Sequence, residues 1–418
     1  LPQHVVPLTT TYFTASAYTP GYYLEGHGIP NFHGDGTYYF IYDQNGVPLW
    51  YASNGTSALS LHPGLSANRV AMNPWFGGSS TTVQINSNSL LGRNYTFQRV
   101  GAMSGDNFDF DVHEFREIAS PSGRRGNIIS LSQYYFDGNG VRVPVTVANN
   151  GGNIGNFYIQ EQAPNGEVVW TWDSHDCLAD ATDDQYHTNS IDVHPETGNL
   201  LVSNRSNASV FCIDYATKNV KWALQGTHPI AVPGTPHSLS QVAYGSRFAS
   251  THWLSGDKII GEPFFNGQQY SGTNGQHDAR WHTDIPPLTA GNKIITIFDN
   301  AQTMPNSRGV IYEIDETNGI AYHRSSIFGP GASQFMGSYT VLPLGNGKYS
   351  HTLDYVQQDP EYVEYVGGVD GVNNVEKVLA ISSQNEHQTG QTNVNYRFIK
   401  VPTTFFNIDY LRNTAGME

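Results

Sequence analysis

HTNSIDVHPETGNLLVSNRSNASVFCIDYATKNVKW, residues 187–222, holds four short apolar stretches separated by turn residues. Residues 195–199 interrupt the first pair of stretches, and residues 216–219 interrupt the second pair. Strand-length apolar stretches joined through Gly, Asn, Pro and Asp are typical of β-hairpins. The segment therefore predicts two consecutive hairpins, which together make one four-stranded antiparallel sheet.

Both halves of this unit recur along the chain. Hairpins that end in an aromatic residue are predicted at 38–50, 157–170, 209–222 and 309–322. A histidine followed by an apolar strand, a turn and another apolar strand occurs at 113–133, 187–205 and 277–300. A fourth copy, at 337–355, has Ser338 where the others have histidine. Repeated four-stranded sheets are the signature of a β-propeller.

We therefore predict an all-β fold, a single β-propeller domain over residues 1–418, with six blades and seven as the alternative. Its blades are four-stranded and antiparallel. A pair of β-sandwiches is disfavoured, because the parts recur four times in one order. The Gly/Asn/Ser/Pro-rich stretches between the repeats are predicted to be long loop insertions at 54–100, 134–156, 171–186, 226–276 and 357–375.

Composition excludes several classes of function. Charged residues make up 14% of the 418-residue chain, and the formal net charge is −15. Few charges with many aromatic and glycine residues favour an all-β protein. A nucleic-acid-binding protein normally presents a basic surface, and none is visible in this sequence. A membrane-spanning helix needs an apolar run of about 18 residues or more, which the sequence lacks. We expect no nucleic-acid or membrane partner.

Several features predict an extracellular, secreted glycoprotein. The sequence begins with Leu-Pro rather than Met, and four triplets match the N-glycosylation acceptor pattern. In an oxidising compartment we expect a disulfide between Cys177 and Cys212, with two buried free thiols as the alternative. Glycans are expected at three of the four matching positions, with Asn204 the least favoured: Asn54, Asn94 and Asn207.

The predicted propeller places three histidines together. The first strand of each blade lines the central channel, so the residue that opens it lies at the channel mouth. His113, His187 and His277 open three such strands, and Ser338 opens a fourth. A lone histidine is more often a hydrogen-bonded structural group, but three at one repeat position predict a site. Asn300 ends the strand that follows the His277 strand and can accept a hydrogen bond from a histidine.

Two further side chains complete a predicted anion site. Asn189 lies two residues after His187, so both side chains point to one face of the strand. Arg205 ends the same hairpin and is brought back towards His187. Its planar fork of donors matches a sulfate, phosphate or carboxylate. We expect His113, His187, His277 and Arg205 to be catalytic, with a second set that binds substrate: Asn189, Arg205, Ser338 and Asn300.

At these residues the sequence resembles the arylsulfotransferase-like superfamily, in particular its fungal secreted branch. The matching motifs are DVHEF (111–115), HTNSID (187–192), SNR (203–205), QHDAR (276–280) and FDN (298–300). The resemblance implies a six-bladed propeller that moves a sulfuryl group from a phenyl sulfate to another phenol without a nucleotide donor. It also implies that His277 is the nucleophile that becomes sulfated. Sulfuryl oxygens would contact His187, Asn189 and Arg205, and His113 would handle the phenol proton.

Other functions stay open at this stage. A polysaccharide lyase would use Arg205 and Asn189 to neutralise a uronate carboxylate, with a histidine or tyrosine as acid and base. A non-catalytic binding propeller is disfavoured, because binding alone rarely needs three titratable groups at one mouth.

We expect no cofactor and no metal: three histidines could hold a divalent ion, but no HxH or CxxC pair supports one. The partner is then a small phenolic or sulfated substrate, or an anionic glycan. Nothing resembles the dimerisation domain of the bacterial members, so we expect a monomer.

Overall fold

A computed structural model describes residues 8–27, 38–53, 60–73, 80–85, 90–95, 110–111, 113–119, 121, 123–136, 142–144, 156–180, 186–226, 238–356, 362–382 and 395–414. These residues are nearly all β and form six blades in a propeller ring, which confirms the predicted fold class.

The strands, numbered along the chain, are β1 (Thr9–Phe13), β2 (Gly21–His27), β3 (Tyr38–Tyr42), β4 (Pro48–Ser53), β5 (Ser60–Pro63), β6 (Arg69–Asn73), β7 (Ser80–Ile85), β8 (Leu90–Tyr95), β9 (Phe115–Glu117), β10 (Ile128–Phe136), β11 (Arg142–Pro144), β12 (Asn156–Gln162), β13 (Val168–Asp173), β14 (Thr188–Val193), β15 (Leu200–Asn204), β16 (Ser209–Ile213), β17 (Val220–Gln225), β18 (His252–Leu254), β19 (Ile259–Ile260), β20 (Phe264–Phe265), β21 (Gln268–Gln269), β22 (His277–His282), β23 (Lys293–Asp299), β24 (Arg308–Asp315), β25 (Ile320–Phe328), β26 (Ser338–Gly345), β27 (Lys348–Asp354), β28 (Tyr362–Gly367), β29 (Gly371–Val372), β30 (Val375–Ser382) and β31 (Asn395–Pro402). The helices are α1 (Leu239–Val242), α2 (Ile408–Thr414) and three short 3-10 turns at Ser174–Asp176, Ser246–Phe248 and Gly256–Lys258.

Each blade is a small, mainly antiparallel sheet. The first blade is β5–β8, the second is β9–β13, and the third is β14–β17 with β18 added in parallel. The fourth blade is β22–β25, with β19 and β29 along its outer strand. The fifth is β26, β27, β28 and β30, with β1 at the outer edge. The four predicted aromatic-ended hairpins are confirmed as β3–β4, β12–β13, β16–β17 and β24–β25.

The sixth blade closes the ring. Its innermost strand is β31, which pairs antiparallel with β2, and β3 and β4 complete the sheet. The closure joins distant parts of the chain: the Lys400 Nζ donates to the Thr19 carbonyl across 381 residues of sequence. The blade therefore combines one strand from the end of the chain with three from its beginning.

Two predicted insertions are corrected by the structure. Residues 54–100 are not a loop, because β5–β8 within them form the whole first blade. Residues 357–375 contain β28, which is a regular strand of the fifth blade. The β5–β8 strands lack the leading histidine of the other repeats and lie among Asn, Ser and Gly residues, so their alternation is weak in the sequence.

Apolar side chains fill the spaces between neighbouring blades. On β15, Leu200 and Val202 pack against the second blade, whereas Leu201 packs against the fourth. This alternation follows from the period of two in a strand, and it explains why the blade strands are apolar on both faces. Described residues form such a cluster at every junction around the ring.

Candidate active site

Side chains on the innermost strands link each blade to the next around the channel. In each link a side-chain oxygen accepts a hydrogen bond from the backbone N–H of the neighbouring innermost strand. Four of these links in the described residues recur at one position: Glu114 accepts from Ile191 at 3.1 Å, Ser190 from Ala279 at 3.0 Å, Asp278 from Tyr339 at 3.1 Å, and Ser338 from Phe398 at 3.1 Å. A further link lies two residues along, where Asp192 accepts from Trp281 at 2.8 Å.

These recurring bonds define which residues of the blades are equivalent. The residue two before each donor holds the same place around the channel: Asn189, His277, Gly337 and Tyr396. His113 holds this place in the second blade, because it precedes the accepting residue Glu114 just as His277 precedes Asp278. The predicted equivalence of His187 with His113 and His277 is therefore wrong by two residues, and Ser338 is one residue past the matching position.

Four rings nevertheless converge at the channel. The ring centroids of His113 and His187 lie 5.0 Å apart. The Tyr396 ring lies 5.4 Å from that of His113 and 6.1 Å from that of His277. His187 is half-buried and adopts a left-handed backbone conformation with φ of 44°. The structure thus brings the three predicted histidines together and adds a tyrosine that the sequence did not single out.

Hydrogen bonds around Asn300 determine the tautomer of His277. The Asn300 Nδ2 donates to the carbonyls of Ser333 and Met336, both at 2.9 Å, so its Oδ1 faces the histidine. His277 Nδ1 lies 2.7 Å from that Oδ1 and must carry the proton to donate to it. Nε2 then has the lone pair, and the Met336 N–H donates to it at 3.2 Å.

Burial keeps the His277 ring neutral. The side chain is 1% exposed, and burial holds its pKa well below the ordinary histidine value. The nearby Arg205 guanidinium lowers the pKa further, and His187 and His113 act in the same direction. An unprotonated imidazole, with a lone pair on Nε2, is the form that can act as a nucleophile.

A carboxylate orients His113. Asp111 Oδ1 lies 2.5 Å from His113 Nδ1 and also accepts from the His113 backbone N–H at 2.9 Å. Gln133 Nε2 donates to the other carboxylate oxygen at 3.0 Å. Because the Nδ1 faces the carboxylate, the Nε2 of His113 is left for proton exchange with another group. This Asp–His pair has the arrangement of a general acid or base.

The remaining predicted residues divide into two groups. Arg205 is partly exposed beside His277, and its backbone N–H donates to the His187 carbonyl at 3.1 Å. Asn189 is fully buried, and its Nδ2 donates to the carbonyl of Gln276 at 2.7 Å. Arg205 and His187 thus offer side-chain surface at the mouth. Asn189 holds the backbone just before His277.

Two predicted substrate-binding residues are corrected. The Ser338 side chain is fully buried, and its hydroxyl donates to the Phe398 carbonyl and accepts from the Phe398 N–H, both at 3.1 Å. It joins two blades and is not available to substrate. Asn300 is also fully buried, and its amide is committed to His277 and to the two carbonyls described above.

A buried ionic cluster lies next to the histidines. Arg280 pairs with Glu114 at 2.9 Å and with Asp278 at 2.7 Å. Arg397 of β31 lies 3.4 Å from Glu114 and 3.3 Å from Asp278. The two guanidiniums lower the pKa of both carboxyls despite their burial, so both carboxylates are ionised beneath the site.

Sequence reasoning missed Asp111, Tyr396 and Arg397 as members of the site. Asp111 had a signal, because it opens the DVHEF motif two residues before His113. Tyr396 and Arg397 had no sequence signal, because they belong to the strand that closes the ring and no repeat motif precedes them. Only the three-dimensional closure brings them next to residues more than 200 positions earlier, as in the Arg397 bond to Asn189 with a separation of 208.

The predicted disulfide is wrong, because both cysteines are buried free thiols. Cys177 packs in the cluster between the second and third blades, together with Phe211. Cys212 follows Phe211 on β16 and so points to the opposite face, into the cluster shared with the fourth blade. The sheet of the third blade separates the two sulfurs.

The predicted glycan acceptors have different surroundings. Asn94 is exposed on β8, and Asn54 lies outside the described residues. Asn207 is 1% exposed, so the folded chain has no room for a glycan there and Asn207 is withdrawn as an acceptor. Glycosylation at Asn94 and an extracellular location remain predictions.

In the part of the chain that the structure describes, no cluster of three or more His, Cys, Asp or Glu side chains is arranged to hold a metal ion. None of the described helices has the length and apolar character needed to cross a membrane.

The histidines at the innermost strands mark a candidate site at one mouth of the propeller channel. Comparison with protein families identifies the class of propeller to which the chain belongs. The model of the arylsulfotransferase (ASST) family matches residues 14–329. The chain therefore belongs to the arylsulfotransferase family. A comparison with curated protein sequences found no match.

A comparison with solved structures found matches at low identity. A candidate 6-phosphogluconolactonase of Bacteroides fragilis is 9% identical, with a TM-score of 0.42 over 93% of this chain and 99% of the other. A functionally unknown protein of Desulfotomaculum acetoxidans is 9% identical, with a TM-score of 0.39 over 87% and 99% of the two chains. Sqt1 of Saccharomyces cerevisiae is 11% identical, with a TM-score of 0.37 over 80% and 79%.

Proposed function

We propose that this protein transfers a sulfuryl group between phenolic compounds through a sulfated His277. The observation that carries the proposal is the tautomer of His277: Asn300 holds the proton on Nδ1 and leaves the lone pair on Nε2. A neutral imidazole in this form can attack sulfur without first losing a proton. Membership of the arylsulfotransferase family supports the same reaction class.

In the first step the Nε2 lone pair attacks the sulfur of a phenyl sulfate. The bond between sulfur and the phenolic oxygen breaks, and its electron pair leaves with the phenolate, which takes a proton from His113. The Nδ1 proton of His277 stays in place, so the sulfated ring is cationic. The Asn300 Oδ1, which already accepts from Nδ1 at 2.7 Å, stabilises that charge.

In the second step a phenol replaces the first product. His113, oriented by Asp111, takes the phenolic proton while the phenolic oxygen attacks sulfur. The N–S bond breaks and its electron pair returns to Nε2, which restores His277. Arg205 and His187, the partly exposed members of the group, hold the sulfuryl oxygens in both steps.

Met336 must move for this reaction to begin. Its backbone N–H donates to Nε2 of His277, and the histidine is almost fully buried. Entry of the sulfate ester therefore displaces this contact. The residue has φ of 59°, a left-handed conformation that is costly for a methionine. Once Nε2 bonds to sulfur, the freed N–H can donate to a sulfuryl oxygen and stabilise its charge.

The test is incubation with p-nitrophenyl sulfate, with and without a second phenol. We expect release of nitrophenol, and without the phenol an intact protein that is about 80 Da heavier, the mass of one SO₃ on histidine. His277→Gln should abolish both signals. His282→Gln is the matched control, because His282 lies on the same strand with its ring bonded to Thr296 and Asp284.

Two outcomes would overturn the proposal. Full transfer activity in His277→Gln would exclude this histidine as the nucleophile. An unsaturated product from a uronate-containing glycan, without any mass increase, would establish elimination instead. Burial raises the pKa of Tyr396, so a tyrosinate base for that elimination is disfavoured in this site.

A further inference from the structure

The ring-closing strand β31 supplies two side chains to the site. Tyr396 occupies the same place on its strand as His113, Asn189 and His277 do on theirs. Its ring lies against the rings of both histidines, and its hydroxyl donates to the Asn189 carbonyl at 3.1 Å. Tyr396 is 1% exposed, and its buried ring contacts the rings of both histidines.

Arg397 bonds to the backbone of the same residues. Its guanidinium donates to the His113 carbonyl at 2.9 Å and to the Asn189 carbonyl at 2.7 Å. It also lies within ion-pair distance of Glu114 and Asp278, the residues that directly follow His113 and His277. One side chain thus connects the second, third and fourth blades at the histidine positions.

The chemistry of arginine suits this role. Its planar fork of donors reaches two carbonyls and two carboxylates at fixed angles, which a lysine ammonium cannot reproduce. A buried guanidinium is stable only where its donors are matched, so its loss shifts the groups that it holds. A shift of about 1 Å in reacting groups can cost on the order of 10²-fold in rate.

We propose that Tyr396 and Arg397 are positioning residues that hold His113 and His277 at the spacing required for sulfuryl transfer. The inference rests on the proposed function, and it extends the site beyond residues 14–329, the segment that the family model covers. The closing strand is then both a structural element of the ring and a part of the active site.

The test compares Arg397→Lys with Arg324→Lys. Arg324 is a second buried arginine, paired with Glu313 at 2.7 Å and with Asp370 on the outer side of the fourth blade. We expect Arg397→Lys to lower kcat for p-nitrophenyl sulfate by about 10–10²-fold, with KM changed by less than about threefold. Arg324→Lys should leave kcat unchanged at a similar loss of thermal stability.

Tyr396→Phe and Tyr396→Leu provide a second measurement if Arg397→Lys does not fold. Tyr396→Phe removes the bond to Asn189 but keeps the ring, so kcat should fall by less than about tenfold. Tyr396→Leu removes the ring that contacts both histidines, and its kcat should fall by about 10²-fold. The proposal is overturned if Arg397→Lys folds with wild-type kcat, or if Tyr396→Leu does.

A readout without turnover separates this proposal from the proposed function. In ¹⁵N-histidine NMR spectra of the wild-type protein, His277 should show a protonated Nδ1 and an unprotonated Nε2. Arg397→Lys should shift the His113 and His277 signals and leave those of His323 and His351 in place. If the wild type fails to transfer sulfuryl groups, the proposed function fails, but these shifts still support positioning. Unchanged His113 and His277 signals in a folded Arg397→Lys variant would refute positioning even where transfer occurs.

Discussion

At the scale of single residues, the site depends on which nitrogen of each histidine carries a proton. Asn300 determines this for His277, and Asp111 determines it for His113. Both partners orient their histidine ring through Nδ1, so the Nε2 of each ring points away from that partner. The two histidines differ in their partner: Nδ1 of His277 donates to an amide oxygen, whereas Nδ1 of His113 faces a carboxylate.

Asp111→Asn should separate the two halves of the proposed reaction. The amide cannot stabilise a charged His113, so proton transfer from the acceptor phenol should slow by about 10²-fold or more. The burst of nitrophenol without acceptor should persist, because p-nitrophenolate is a weakly basic anion and can leave without the proton that His113 gives to a more basic phenolate. Stopped-flow absorbance resolves the two phases.

Asp284→Asn is the matched control, since Asp284 pairs with His282 at 3.2 Å away from the site. It should change neither phase. Equal loss of the burst and of turnover in Asp111→Asn would contradict the assigned role of His113.

At the scale of elements, the innermost strands are joined by side chains rather than by a continuous sheet. Ser190 accepts the Ala279 N–H at 3.0 Å, and both groups are buried. Such a link leaves each blade as a separate sheet but fixes its register against the next one. The position of His277 relative to Asn189 depends on this link between the third and fourth blades.

Ser190→Ala should destabilise the protein by about 1–3 kcal/mol, because the Ala279 N–H loses its acceptor in a buried environment. Ser209→Ala is the control in the same blade. The Ser209 hydroxyl is also buried, but it has no hydrogen-bond partner among the described residues, so its removal should cost little. Urea unfolding of the two variants measures the difference, and equal losses would contradict the link.

The sequence predicts the elements where each contact is local. The turn residues 214–219 and the alternation of β16 and β17 suffice to place that hairpin. They do not suffice for the register between blades, where the equivalence of His187 with His277 fails by two residues. That register depends on Ser190 and Asp278 finding backbone donors on other blades, which no local pattern encodes. The disulfide prediction for Cys212 fails for a related reason. The face of β16 to which Cys212 points is determined by packing between the third and fourth blades.

At the scale of the whole molecule, the buried histidines make stability depend on pH. Burial lowers the pKa of His351 and of His323 to about 4, and that of His62 and His277 well below the ordinary value of 6.5. Below pH 6.5 the unfolded chain therefore binds protons that the folded chain does not. The free energy of unfolding must fall as the pH falls through this range.

His351→Gln should flatten that dependence. His351 accepts from the Tyr339 hydroxyl at 2.8 Å and donates to the Gly368 carbonyl at 3.0 Å, and a glutamine amide can make both bonds. Between pH 6.5 and 5 its removal should reduce the loss of stability by up to about 1.4 kcal/mol per pH unit. Urea unfolding at several pH values measures the slope. An unchanged slope would show that His351 binds protons equally well in the folded and unfolded chains, which would contradict the lowered pKa.

The closing strand also has a consequence for synthesis. Strands β2–β4 are made some 370 residues before β31, the strand with which β2 pairs, as the Tyr23 pairing with Lys400 shows. Until then the sixth blade lacks its inner strand, and Tyr396 and Arg397 are missing from the channel. A nascent or prematurely terminated chain can fold several blades yet remain without an assembled site. Catalysis by the proposed site would therefore require that translation has passed β31.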